Sequence, residues 1–109
     1  MNRDELIAFI KAFDADGAAL VRAKNHDYAG ESGETPFANF EACEWLGICS
    51  TEIGMLVRMC DKFMRLIQFV KSGRLEVKDE AIRDTLLDSA NYDKLLAAYL
   101  SAEGATHET

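Results

Sequence analysis

The feature that most constrains the fold is one long helical segment whose apolar residues surround most of its circumference. Ser50 or Thr51 can cap the start of this helix, and Gly73 follows its predicted end at about Ser72. A helix on the surface of a globular protein has an apolar stripe only somewhat wider than 100°. Here the apolar positions are Ile53, Met55, Leu56, Met59, Cys60, Phe63, Met64, Leu66, Ile67, Phe69 and Val70. We therefore expect a helix that is central to the fold or is buried in a homo-oligomer.

The N-terminal segment has a start signal of its own. Asn2 followed by Glu5 has the form of a capping box, and apolar residues recur at helical spacing through about residue 24. Residues 24–36 lack an apolar period and contain two glycines and the single proline of the chain. This composition predicts a loop between the first helix and the next.

The remaining segments add two helices. Residues 37–46 fit a short helix, and a last helix is expected from a cap at Asp79 to about Ala102. No segment alternates between apolar and polar residues over a useful length. The sequence therefore predicts an all-α fold, a bundle of about four helices completed by oligomerisation. We expect one domain over residues 1–104, followed by a polar tail over residues 105–109.

The charge balance limits the kinds of partner. The chain has 19 acidic and 12 basic residues and a net charge of -7, which repels nucleic acid and anionic lipid at long range. No apolar run approaches the length of a membrane span or of a signal region. We therefore expect no DNA, RNA or membrane partner and a cytoplasmic location.

The cysteines and the single tryptophan are predicted to be structural. Cys43, Cys49 and Cys60 are odd in number and have no CxxC spacing, so neither a zinc site nor a disulfide framework is expected. We predict three buried, reduced thiols. Trp45 is predicted to lie in the core.

An acidic stripe runs along the last helix. Asp84, Asp88, Asn91 and Leu95 follow one another at spacings of four, three and four, so the two carboxylates share a helix face with an apolar residue and with Tyr99. Apolar residues occupy much of the remaining circumference, which leaves no wholly polar side for the acids. We expect them to be partly covered and to need compensation for lost hydration and mutual repulsion.

Two kinds of compensation are open, beside a simple solvated face that needs no ligand. Basic side chains of other helices can form salt bridges with the acids: those of Lys24, Arg58, Lys62 and Arg65. Alternatively, a hard cation such as magnesium can be held by two or more carboxylates and completed by water and substrate phosphates.

The predicted loop and the start of the second helix carry a second polar cluster. Its residues combine a cation, a carboxylate, an amide and aromatic rings: Lys24, Asp27, Tyr28, Phe37, Asn39 and Phe40. Such a set suits the base or ribose of a nucleotide, because aromatic rings stack on planar bases and an amide both donates and accepts hydrogen bonds. The alternative interpretation is a loop held to the core by Phe37 and Phe40.

Four blocks of the sequence resemble a known family in order and spacing. They are "KNHDYAG", "PFANFE", "LVRMCDKFMRL" and "VKDEAIRDTLLDSANY", and they resemble the bacteriophage family called nucleotide modification associated domain, type one. The arrangement is also similar to that of the all-α nucleoside triphosphate pyrophosphatases of the MazG and dimeric dUTPase type. The resemblance implies an all-α nucleotide-binding protein of phage type, with magnesium as cofactor if it is catalytic.

The resemblance also implies candidate magnesium ligands. By position, Asp84 and Asp88 correspond to the second acidic pair of those enzymes, and Glu52 or Asp61 corresponds to the first. The long helix has no E-x-x-E, however, and "DTLLD" spaces its acids by four rather than three. Nucleotide contacts are expected from the bases, amides and aromatic residues above: Lys24, Asp27, Tyr28, Phe37, Asn39, Arg58, Lys62, Arg65 and Asn91.

Three functional hypotheses follow. The first is a nucleotide-binding protein that hydrolyses a nucleoside triphosphate to release pyrophosphate, through a metal-activated water. The second is a sponge that sequesters a nucleotide, such as a host immune signal, and does no chemistry, which the missing E-x-x-E favours. The third is a structural oligomer whose acids are satisfied by arginines.

Overall fold

The computed structural model describes residues 1–73 and 81–103. These residues form four helices and no strand: α1 (Arg3–Ala29), α2 (Ala38–Trp45), α3 (Thr51–Ser72) and α4 (Ile82–Glu103). The predicted all-α fold of about four helices is confirmed. The predicted Asp79 cap and the C-terminal tail lie outside the described residues.

Helix α1 begins as predicted but ends later. The Asn2 side chain accepts a hydrogen bond from the Glu5 backbone at 2.9 Å, and the Glu5 carboxylate accepts one from the Asn2 backbone at 3.3 Å. The helix continues to Ala29, so the prediction of a loop from residue 24 is wrong. Apolar periodicity fails there because the last turns of α1 have a polar inner face, which lines the pocket described below.

The predicted bounds of α3 are confirmed. The Ser50 side chain accepts a hydrogen bond from the Ile53 backbone at 3.2 Å and so caps the first turn. Gly73 ends the helix with φ of 76°, in the left-handed region that glycine adopts without a steric penalty. Both signals are local in sequence, which is why the sequence alone located them.

Helix α4 packs against both α1 and α3, while α2 packs against α1 and α3 on another side. The core consists of Phe40, Met55 and Tyr99, surrounded by partly buried aromatic and leucine side chains of α2 and α4. Among the described helices, α1 and α3 do not pack on each other. The expectation that α3 is central is therefore wrong for the single chain, because one long side of it is exposed: Phe63 is 61% and Val70 81% accessible.

Two further expectations about burial are corrected. Trp45 is 87% exposed rather than in the core, since it is the last residue of α2 and lies at the turn into α3. All three thiols are free, but Cys60 is exposed on α3, and Cys43 and Cys49 are only partly buried. Burial raises the pKa of the Cys49 thiol, and its contact with Cys43 adds to the increase.

Candidate functional site

A pocket of about 370 Å³ is lined by the second half of α1 and by residues of the other three helices. Its wall combines basic, acidic, amide and aromatic side chains: Val21, Lys24, Asn25, Tyr28, Asn39, Phe40, Arg58, Asp88, Asn91, Tyr92 and Leu95. The volume is within the range of about 300–1,000 Å³ that is typical of small-molecule sites.

Two helices supply most of the wall, each through one face. The lining residues of α1 are Val21, Lys24, Asn25 and Tyr28, and those of α4 are Asp88, Asn91, Tyr92 and Leu95. Both sets follow the i, i+3, i+4, i+7 spacing of a single helix face. The pocket therefore depends on α1 remaining helical through its polar last turns.

Asp88 is held by two lysines from two other helices. Its Oδ1 lies 3.2 Å from Lys24 Nζ on α1, and its Oδ2 lies 3.2 Å from Lys62 Nζ on α3. The Asp88 side chain is only 16% exposed. The internal compensation expected from the sequence therefore exists for this carboxylate, and it joins three helices at one point.

Asn91 joins α1 and α4 through a buried hydrogen bond. Its side-chain Nδ2 donates to the Gly17 carbonyl oxygen at 3.1 Å, and the residue is 5% exposed. A Cβ atom at position 17 would lie 2.7 Å from Asn91 Oδ1, so any larger residue there would force the Asn91 amide to shift. Asn91 Oδ1 is buried against α1 and has no hydrogen-bond partner among the described residues.

Arg58 brings a cation to the pocket from α3. Its guanidinium carbon lies 4.7 Å from the centre of the Phe40 ring, and Phe40 in turn meets Tyr92 edge to face at 6.3 Å between ring centres. Within residues 1–73 and 81–103, no carboxylate pairs with this guanidinium. Stacking on Phe40 orients the planar group while its N–H donors stay available.

The charges around the pocket favour an anionic ligand. Lys24, Arg58 and Asp88 line it, and Lys62 contacts Asp88 from behind. Three cations against one carboxylate give a local charge of about +2, in a chain whose net charge is -7. A guanidinium without a carboxylate partner beside an aromatic wall is suited to a phosphate or a carboxylate group.

The structure brings five of the predicted nucleotide contacts into this pocket: Lys24, Tyr28, Asn39, Arg58 and Asn91. Four others do not line it. Lys62 touches it only through Asp88, and Arg65 is partly buried on α3. Asp27 is 75% exposed beside His26, and Phe37 packs on Tyr99 in the core with 5.3 Å between ring centres. The alternative interpretation of Phe37, as a core anchor of the loop, fits this position.

The four predicted magnesium ligands are not gathered. Asp61 and Asp84 are exposed, Glu52 is partly buried, and only Asp88 lines the pocket, with each carboxylate oxygen facing a lysine. In the part of the chain that the structure describes, no three His, Cys, Asp or Glu side chains form a group that could hold a metal ion. These positions do not fit a magnesium site, so the magnesium prediction receives no support from the geometry.

Sequence reasoning missed three lining residues: Val21, Asn25 and Tyr92. Asn25 also donates to the Pro36 carbonyl oxygen at 2.6 Å, which fastens the loop after α1 to the pocket. Helical spacing was the signal that could have identified them, because Val21 and Asn25 lie on the same face of α1 as Lys24 and Tyr28. Tyr92 follows Asn91 and lies one turn after Asp88.

In comparisons with known proteins, the chain matches no protein-family model, no curated protein and no solved structure. The family resemblance stays a prediction, and the case for a function depends on the pocket. None of the described helices has a stretch long and apolar enough to cross a membrane.

Proposed function

We propose that the protein binds a nucleotide in this pocket without a metal ion and sequesters it unchanged. The observation that carries the proposal is the Arg58 guanidinium, which is stacked on Phe40 at the pocket and has no carboxylate partner among the described residues. A stacked arginine with available donors is a strong ligand for phosphate oxygens, particularly when both oxygens of one phosphate are bound.

Phosphates are bound by the basic end of the pocket in this proposal. Arg58 supplies directional donors, and Lys24, which is 50% exposed and stays 3.2 Å from Asp88 Oδ1, adds positive charge beside the ligand. Lys62 stays on Asp88 and keeps that carboxylate from repelling the phosphates. The resulting site is locally positive, although the protein as a whole is acidic.

The base or sugar is bound by the amide end. Asn39 Oδ1 and Asn91 Oδ1 are buried acceptors without partners among the described residues. A buried acceptor that loses water without gaining a donor costs about 1–3 kcal/mol. Asn91 Oδ1 is packed against Gly17 of α1, so Asn39 is the acceptor that we assign to the ligand. A nucleobase amine or a ribose hydroxyl removes this cost when the Asn39 amide turns toward it. Tyr28 and Tyr92 supply aromatic surface for the ring.

Binding is favoured over hydrolysis by the state of Asp88. A carboxylate whose two oxygens each face a lysine is already neutralised, so it has little to gain from a cation. We therefore place the sponge hypothesis ahead of the pyrophosphohydrolase. If the resemblance to a phage family holds, a host signalling nucleotide is the ligand that such a protein would remove.

The test is calorimetry in EDTA with ATP, GTP, cyclic AMP and cyclic di-AMP, after any ligand retained through purification has been identified by mass spectrometry. We expect at least one of these nucleotides to bind in EDTA and to be recovered unchanged. Arg58→Ala should weaken that binding about 30-fold, equivalent to about 2 kcal/mol for lost charge-assisted hydrogen bonds.

Arg22→Ala is the matched control, because it removes the same charge from an exposed position of α1 outside the pocket. It should change the affinity less than threefold. Absence of binding by the wild type, or equal losses in the two variants, would contradict the proposal.

A further inference from the structure

We infer that the outer face of α3 pairs with the same face of a second copy of this chain. The outer face consists of six residues: Ile53, Leu56, Cys60, Phe63, Ile67 and Val70. They follow one another at spacings of three, four, three, four and three along the whole helix. This inference depends on α3 alone and is independent of the proposed nucleotide binding.

The spacing is the one by which two helices pack along their length. Apolar residues that alternate three and four apart repeat every 3.5 residues on average, which keeps one seam facing a partner helix. In heptad terms Ile53, Cys60 and Ile67 occupy a positions, and Leu56, Phe63 and Val70 occupy d positions.

Within the described structure this seam lacks a partner. Phe63 is 61%, Ile53 49% and Leu56 45% exposed, and Val70 is 81% exposed at the C-terminal end. Helices α2 and α4 both pack on α3, but on the side that carries the buried Met55. The six seam positions carry no charge, so a partner face of the same composition meets no repulsion.

The exposed area is sufficient for a dimer. The chain of 12.1 kDa exposes 8018 Å², whereas a compact monomer of that mass exposes about 6,000 Å². A standard interface buries about 800 Å² on each partner. The excess of about 2,000 Å² belongs to the whole chain, and the outer face contributes part of it through the exposed side chains of Ile53, Leu56, Phe63 and Val70.

Pairing through the outer face leaves the pocket accessible. Met55, Arg58 and Lys62 follow one another at spacings of three and four on the opposite side of α3, toward the bundle. A dimer of this kind presents two separate pockets that face away from the seam. A substitution on the outer face is therefore expected to dissociate the dimer and leave the pocket intact. Dimerisation and nucleotide binding can then be tested separately.

The experiment is sedimentation velocity on the full chain and on Leu56→Glu, Phe63→Glu and Ile7→Glu, from 5 to about 200 μM. We expect the wild type at about 24 kDa, twice its 12.1 kDa. Both α3 variants should sediment at half that mass. Ile7→Glu should remain dimeric: Ile7 is 45% exposed, as Leu56 is, but it lies on α1.

Circular dichroism checks that each variant keeps its helix content, which is expected because the substituted side chains are largely exposed in the single chain. If a variant does unfold, Val57→Lys replaces it, since Val57 adjoins the seam and is 55% exposed. A monomeric wild type overturns the inference. So does a dimer that survives the α3 substitutions, or one that only Ile7→Glu dissociates.

Discussion

The two sides of α3 reverse the distribution of charged and apolar residues that is usual in a surface helix. Toward the bundle, the buried Met55 is followed by two cations, Arg58 and Lys62, of which one reaches the pocket and one holds Asp88. Toward solvent, large apolar residues such as Phe63 and Val70 are exposed. A helix that serves only a core carries its charges outside. We propose that the inner charges serve a ligand and the outer apolar residues serve a partner.

The largest expected effect is a change in the free energy of unfolding, and it distinguishes two methionines on these two sides of α3. Met55→Ala removes a side chain that is 0% exposed, and it should lower the free energy of unfolding by about 3 kcal/mol through lost burial and a cavity. Met64→Ala removes one that is 49% exposed and should cost less than about 1 kcal/mol. Urea unfolding at low micromolar concentration measures both.

Repeating the urea unfolding at several protein concentrations sharpens the comparison of the two methionines. The cost of Met64→Ala should grow with protein concentration, because an interface next to the seam stabilises the fold by mass action. The cost of Met55→Ala should not. If the cost of Met64→Ala stays the same at every protein concentration, the outer side of α3 contributes no interface.

The second effect concerns the junction of α1 with α4. Alanine normally stabilises a helix interior relative to glycine by about 1 kcal/mol. Gly17→Ala should instead destabilise the protein by about 2 kcal/mol, because the new Cβ would lie 2.7 Å from Asn91 Oδ1 and displace an amide that is bonded to the Gly17 carbonyl. Ala18→Gly, next to it on α1, is the control and should show only the loss in helix propensity. A stabilising Gly17→Ala would contradict the close approach of α1 and α4.

The third effect separates two acids that the sequence grouped together. Asp88→Asn should lower the free energy of unfolding by about 1–2 kcal/mol, since it leaves Lys24 and Lys62 without their shared carboxylate in a partly buried place. Asp84→Asn should change it by less than about 0.5 kcal/mol, because Asp84 is exposed in the first turn of α4 and interacts mainly with the helix dipole. Thermal unfolding at pH 7 measures both. Equal effects would mean that the lysine pairing contributes little.

The smallest effect is a pH dependence on the core side of α4. The neighbouring Thr51 side chain lowers the pKa of Tyr99, but burial and neighbouring carboxylates raise it above its ordinary value near 10. The folded state therefore holds this proton more tightly than the unfolded state. The resulting stability is present below about pH 10 and is lost as the pH rises through the folded pKa.

Tyr99→Phe should therefore lose less stability than the wild type between about pH 9 and 11, by under about 1 kcal/mol. Tyr28→Phe, at a residue that is 70% exposed, is the control. It should follow the wild-type pH profile, as measured by urea unfolding. Matching profiles for Tyr99→Phe would contradict the buried environment of that hydroxyl.

Features set by local chemistry were predictable from the sequence. The Asn2–Glu5 capping box, the Ser50 cap and the Gly73 stop each depend on neighbours within a few residues, and all three were located correctly. The last turns of α1 were not, because a helix face that lines a polar pocket shows no apolar period. The same polarity that identifies Lys24 and Tyr28 as site residues therefore made them look like loop residues.

Within the candidate site, the sequence grouped residues that share a helix face but did not show how deep in the bundle each residue of α4 lies. Asp84 and Asp88 share a face, yet α4 begins at Ile82, so Asp84 lies in its first turn, exposed, while Asp88 lies one turn deeper and meets two lysines. Which cations a carboxylate meets depends on packing between helices that are far apart in sequence. That information is absent from the spacing of residues along one helix.

The most direct test of the central claim is the affinity of Asp88→Asn for the tightest-binding nucleotide of the panel, measured by calorimetry in EDTA. Removal of the carboxylate frees Lys24 and Lys62 and takes a negative charge away from the phosphates, so we expect the affinity to rise about fivefold, or about 1 kcal/mol. If Asp88 instead holds a metal ion or the ligand itself, the same substitution will abolish binding. That loss would contradict a lysine-held carboxylate beside an anion-binding pocket.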